Sequence, residues 1–145
     1  MAGDQSTIEY IKHQARSLIF SASMAPASVA AVIAALDLLE QDHSLLESLW
    51  SNTHFAQQML REQGFDIGST ETPIIPIYIR DYEKAFRLSQ RLLQEGVFVN
   101  TVVPPAVSRE NTLIRFSIMA SHTHEQIEEA ISKIHRIATE MEIVK

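Results

Sequence analysis

The sequence predicts an α+β fold, a small mixed or antiparallel sheet of three to four strands covered by helices. Apolar residues recur at helical spacing in five stretches, several opened by an S/T-x-x-E/Q capping box or closed by glycine. Three short runs between them are rich in β-branched and aromatic residues, which suit strands. The last two runs follow one another without a helix between them, so they are expected to pair antiparallel.

Taken in order, Ser6 with Glu9 marks the first helix start, and Pro26 the second, because proline suits the first helical turn. Val29, Val32, Ile33, Leu36 and Leu39 give that second helix an apolar stripe, backed by alanines. Ser44 with Glu47 opens a third helix that carries Leu45, Leu49, Trp50, Phe55 and Leu60 and stops at Gly64. Phe65 to Ile67 is a possible short strand, and Ile74 to Ile79 a full one. A fourth helix lies between Asp81 and Glu95 with Gly96 beyond it. Strands follow at Val97 to Val103 and Leu113 to Met119, joined through Pro104 and Pro105, which fix a rigid turn. Thr123 with Gln126 caps the last helix.

The chain has 145 residues, 46% hydrophobic and 21% charged, with no internal repeat or flexible linker, and reads as one domain over 1–145. Its formal charge is −6, with twelve scattered Lys and Arg against eighteen Asp and Glu, which argues against a nucleic-acid partner. Without cysteine there is no disulfide, thiolate nucleophile or Cys-ligated zinc. The four glycines form neither GxGxxG nor a Walker loop. Ser17 to Leu36 is free of charge over a membrane-spanning length, but its serines, alanines and central Pro26 argue for a buried segment and no transmembrane span. With no signal peptide in view, the expected location is cytoplasmic.

Alternation along Leu113 to Met119 places Ile114, Phe116 and Ile118 on one strand face and Arg115 with Ser117 on the other. A lone guanidinium among apolar neighbours needs an anion. Two roles are open: a structural salt bridge to one of the many carboxylates, or a bidentate clamp on a substrate carboxylate. Ser21 and Ser23 precede the Pro26 helix start, where hydroxyls and free N–H groups can bind phosphate or simply hydrogen-bond the local backbone. His122 and His124 form an H-x-H, read as solvated histidines near a helix start rather than a metal site, since further ligands are missing. Glu125, Glu128, Glu129, Glu140 and Glu142 read as a solvated acidic face, with no apolar pocket to raise a pKa.

Four segments, IFSASMAPASVAA, TPIIPIYIRD, LLQEGVFVNTVVPPAV and LIRFSIMASHTHEQIEEA, occur in an order and spacing that resemble the C-terminal part of an α-oxoamine synthase. The resemblance covers nearly the whole chain. That family consists of pyridoxal-phosphate (PLP) enzymes of the aspartate-aminotransferase fold type I, and includes serine palmitoyltransferase, 8-amino-7-oxononanoate synthase, 2-amino-3-oxobutyrate CoA ligase and 5-aminolevulinate synthase. The segments TETPIIPIYIRD and EGVFVN and the VPPA turn resemble the bacterial serine palmitoyltransferases in particular.

The resemblance implies the small C-terminal domain of a homodimeric PLP enzyme that condenses an amino acid with an acyl-CoA, with loss of carbon dioxide. For a serine palmitoyltransferase the substrates are L-serine and a long-chain acyl-CoA, and the product is 3-ketosphinganine. It also implies that Arg115 binds the amino-acid carboxylate. Ser21 or Ser23 reaches the cofactor phosphate of the neighbouring subunit. Relatives carry a second arginine just before the Pro-Pro turn, where Val103 stands here, a departure from a two-arginine site. The family's Schiff-base lysine lies in a motif that Lys12, Lys84, Lys133 and Lys145 do not match. The implied protein is therefore a larger enzyme whose PLP-binding domain is outside this sequence, and the chain by itself is not catalytic. A different class of reading is a free-standing α+β module that binds a small carboxylate or mediates association.

Overall fold

A computed structural model describes residues 3–144; Lys145, one of the four lysines weighed above, lies outside them. The chain divides into two compact units, Met1–Gln41 and Asp42–Lys145.

The first unit contains α1 (Gln5–Gln14), α2 (Arg16–Ile19) and α3 (Pro26–Gln41). The cap of α1 is Asp4 rather than Ser6: its carboxylate accepts the Thr7 N–H at 3.0 Å and the Ser6 hydroxyl at 2.6 Å. These donors, Ser6 foremost, hold the Asp4 carboxyl well below the usual carboxylate range. The Ser17 to Leu36 stretch is broken as expected, by a non-helical passage ahead of Pro26. The burial expected of that stretch is not found within this unit: no described residue of it is buried, and Phe20, Met24, Ile33 and Leu36, whose apolar faces have no partner among its described residues, are more than half exposed. Among the described residues no helix is long and apolar enough to cross a membrane.

The second unit runs α4 (Ser44–Glu62), β1 (Ile74–Tyr78), α5 (Tyr82–Gln94), β2 (Asn100–Val102), a 3-10 turn (Arg109–Asn111), β3 (Leu113–Ser117) and α6 (His124–Glu140). Ser44 forms no capping box. Asp42 accepts its amide at 2.8 Å, and the His43 carbonyl receives Glu47 N–H, so α4 begins a residue earlier than a Ser44 cap requires. Asp81 caps α5, and the Thr123–Gln126 box on α6 is complete in both directions. Gly64 and Gly96 end α4 and α5 at φ 81° and 82°, a left-handed conformation that favours glycine.

The three strands form one antiparallel sheet in the order β1-β3-β2. Phe65 to Ile67 does not join it. That segment makes a single backbone bond to the sheet, Tyr78 N–H to the Asp66 carbonyl at 2.9 Å, and then turns at Gly68 with φ 60°. Ile75, Ile77, Ile114 and Phe116 occupy the covered sheet face. They share one core with Leu60 of α4, Leu88 and Leu92 of α5, and Ile127, Ile131, Ile134 and Ile137 of α6. Burying each such side chain contributes about 1.5–3 kcal/mol. Arg115 and Ser117 alternate onto the opposite face and are exposed, as the sequence predicts.

Candidate functional site

Arg115 lies at the centre of the three-stranded sheet, opposite Pro76 on β1 and Asn100 on β2. The sequence assigns the preceding strand to Val97 to Val103, but pairing begins only at Asn100. Val97 and Val99 still turn into the core and Phe98 outward, a strand-like alternation without a ladder. The reason is the end of α5: Gly96 turns the chain, and Val97 N–H bonds back to the Leu92 carbonyl at 2.8 Å, drawing this segment toward the helix. A cleft of about 620 Å³ opens where the pairing is missing. Phe98 and Asn100 line one side, Arg115, Ser117 and Met119 the other, and α6 contributes Lys133.

Arg115 makes no ion pair among the described residues. Of the two roles open from sequence, the internal salt bridge is not formed, and the guanidinium is left facing a cleft with Phe98 72% and Met119 54% exposed beside it. Lys133 is engaged instead, donating to the Glu95 carbonyl at 2.9 Å and to Glu129 at 2.6 Å, which lowers the Glu129 carboxyl. Val103 is half-buried at the end of β2 and brings no second cation.

Two interactions shape the end of the site. Asn52, buried on α4, donates to the carbonyls of Met119 at 3.1 Å and His122 at 2.7 Å. His122 in turn accepts Met119 N–H through Nδ1 at 3.2 Å, and the residue is part of the cleft lining. His124 is exposed, as the sequence predicts, and one face of its ring stacks on Phe55 with ring centroids 4.3 Å apart. Sequence reasoning missed Asn52. The signal was its place with Thr53, Ala56, Gln57 and Leu60 on one helical face, which becomes the buried one.

Ser21 and Ser23 belong to the first unit, Arg115 to the second. Ser21 donates its hydroxyl to the Leu18 carbonyl at 2.7 Å, the local bonding considered above, while Ser23 has no hydrogen-bond partner among the described residues. The described lysines are all occupied: Lys12 by Glu9, Lys84 by the Glu142 carbonyl, and Lys133 as above.

The family model for aminotransferase class I and II matches residues 1–134. The chain belongs to that family. Among curated members of known kind, it is 52% identical to a serine palmitoyltransferase of Sphingobacterium spiritivorum over 99% of this chain and 36% of that protein. An 8-amino-7-oxononanoate synthase of Petrotoga mobilis is 39% identical over 94% of this chain and 35% of its own length. A serine palmitoyltransferase structure solved with PLP superposes with a TM-score of 0.86 at 31% identity, covering 99% of this chain and 36% of that one. The fold is thus that of the small domain of a fold-type-I enzyme, as the resemblance implies. This member of the family spans about a third of the length of the relatives it matches.

Proposed function

We propose that the chain is the C-terminal domain, residues 1–145, of a larger PLP-dependent acyltransferase that joins an amino acid to an acyl-CoA with decarboxylation. L-Serine and a long-chain acyl-CoA are the substrates and 3-ketosphinganine the product. The observation that carries this reading is Arg115, an unpaired guanidinium on a rigid strand beside an open cleft, suited to a carboxylate. The similarity to serine palmitoyltransferase at 52% identity supports the choice of amino acid and acyl donor.

The residues present fit the phosphate end of PLP. Ser23 offers a hydroxyl without a partner, and Ser21 keeps acceptor capacity on an oxygen already donating to Leu18, in an uncharged passage leading to the start of α3. In a homodimer these hydroxyls would hold the phosphate of the neighbouring subunit's cofactor. PLP, when bound, supplies an electron sink for charge at the amino-acid α-carbon. Arg115 holds the substrate carboxylate in a fixed direction from β3, with the exposed apolar side chains of Phe98 and Met119 lining the same cleft. On this reading the covalent lysine would belong to the large domain, because Lys12, Lys84, Lys133 and Lys145 do not match the motif that carries it in the family.

The test is to read the coding sequence upstream of Met1 and to assay the complete protein. Serine, alanine and glycine are each paired with short- and long-chain acyl-CoA while thiol release is followed. A lysine-bearing domain upstream and turnover of serine with long chains are expected. Preference for alanine favours the 8-amino-7-oxononanoate synthase reading, which the 39% identity to that enzyme keeps open. An open reading frame that begins at Met1 sinks the enzyme reading.

A further inference from the structure

The turn that follows β3 leaves one polar atom unused on a residue that lines the same cleft as Arg115. Its backbone is closed on itself, with His122 N–H donating to the Met119 carbonyl at 3.2 Å. Asn52 donates to the same carbonyl and to that of His122. Met119 N–H donates to His122 Nδ1 at 3.2 Å. An N–H can bond Nδ1 only through its lone pair, so the ring is neutral with the proton on Nε2. That Nε2–H has no acceptor among the described residues, and His122, half-buried, lines the cleft that Arg115 also lines as well as a shallower depression next to Asn52. The other charged groups on the cleft, Lys133 and Glu129 of α6, are paired with each other.

We propose that His122 presents Nε2–H as a second donor to the anion held by Arg115, so that the cleft recognises a carboxylate through one cationic and one neutral donor. The assignment rests on the reading of Arg115 as a carboxylate clamp. Asn52 acts through His122 as a positioning residue: by fixing both turn carbonyls it sets the ring where Nδ1 is consumed and Nε2 remains. The neutral donor lies past the Ser117 end of β3, whereas Val103 lies toward the Leu113 end, so it does not replace the second arginine of relatives in position; it adds direction without adding charge.

The tautomer is read directly from the side-chain nitrogen resonances of His122 in the ¹⁵N-labelled wild-type chain, with the proton expected on Nε2. A proton on Nδ1 overturns the proposal without any variant having to fold. Acetate is then titrated into wild type, His122→Asn, His122→Gln and Arg115→Gln. Asn retains an acceptor near the Nδ1 position, and Gln places an amide donor near Nε2. Affinity is expected to fall about tenfold in His122→Asn, the scale of one neutral hydrogen bond, and to stay near wild type in His122→Gln. Binding is expected to vanish in Arg115→Gln. Wild-type affinity in His122→Asn with loss in Arg115→Gln removes the His122 role and leaves the clamp standing. Acetate that shifts neither residue in wild type removes the clamp, and the second donor with it.

Discussion

The Asn52 side-chain amide donates to the His122 carbonyl at 2.7 Å, joining α4 to the turn after β3 across 70 residues of sequence. A second bond from the same nitrogen to the Met119 carbonyl makes Asn52 the single side chain from α4 that satisfies both ends of that turn. Asn52→Ala leaves two carbonyls without this donor in a part-buried setting and is expected to destabilise by about 1–3 kcal/mol. A lower urea midpoint at unchanged slope would show it. Asn52→Asp should cost more, because a carboxylate oxygen would then face the carbonyls.

Arg115→Gln should separate binding from stability. The side chain is exposed and makes no ion pair among the described residues, so the unfolding free energy is expected to stay within about 0.5 kcal/mol of wild type. In the complete enzyme the loss of a charge-assisted contact, worth about 1.5–3 kcal/mol, should raise the KM for the amino acid about 10- to 100-fold. Steady-state kinetics and a thermal melt on the same preparation check both halves. An unchanged KM would remove the carboxylate role.

Glu140 sets an acid limit on the contact between α5 and α6. Arg91 first, and then Arg136, donates to its carboxylate and holds it below the ordinary glutamate range. A carboxyl whose folded pKa is depressed stabilises the fold fully above its unfolded value, about 4.3, and loses that contribution as pH falls through the folded value. Thermal midpoints of wild type and Glu140→Gln should therefore differ at neutral pH and converge as the solution is acidified below about pH 4. A difference that is constant across that range would show that the pair does not contribute through charge.

Gly96→Ala tests the turn that pulls Val97 to Val99 away from β3. An added Cβ meets no atom within 4 Å, so its cost is conformational alone, at φ 82°. About 1–2 kcal/mol is expected, the penalty of a left-handed L-residue. Gly68→Ala should cost more, because there the Cβ also comes within 3.3 Å of the Tyr78 ring. Chemical denaturation of the two variants ranks them.

Arg115 was legible because β-strand alternation is a local property: Ile114, Phe116 and Ile118 had to share a face, and Arg115 had to take the other. The cleft was not, because it depends on where two strands part, and that is set by the bond from Val97 to Leu92 at the end of a helix. Caps show the same division. Thr123 caps α6 as read, whereas Ser6 and Ser44 do not cap. Each of those serines lies two residues after an aspartate: Asp4 accepts the Thr7 amide and so caps the helix two residues before Ser6, and Asp42 accepts the amide of Ser44 itself. A D-x-S at a helix start therefore shifts the boundary toward the aspartate. Asn52 was not legible because hydrophobic periodicity carries no signal for a polar side chain on a buried helix face.

Arg115 is the last residue of β3 with a strand on both sides, since β2 reaches no further than Asn100 while β1 continues to Ser117. Its main chain is thus immobilised from two directions at the very point where its side chain overlooks open space. A ligand that binds there does not have to freeze the backbone as it arrives, and the ordering entropy of that segment has been met by folding. The shortness of one edge strand accordingly produces both the opening and the preorganisation of the group that faces it.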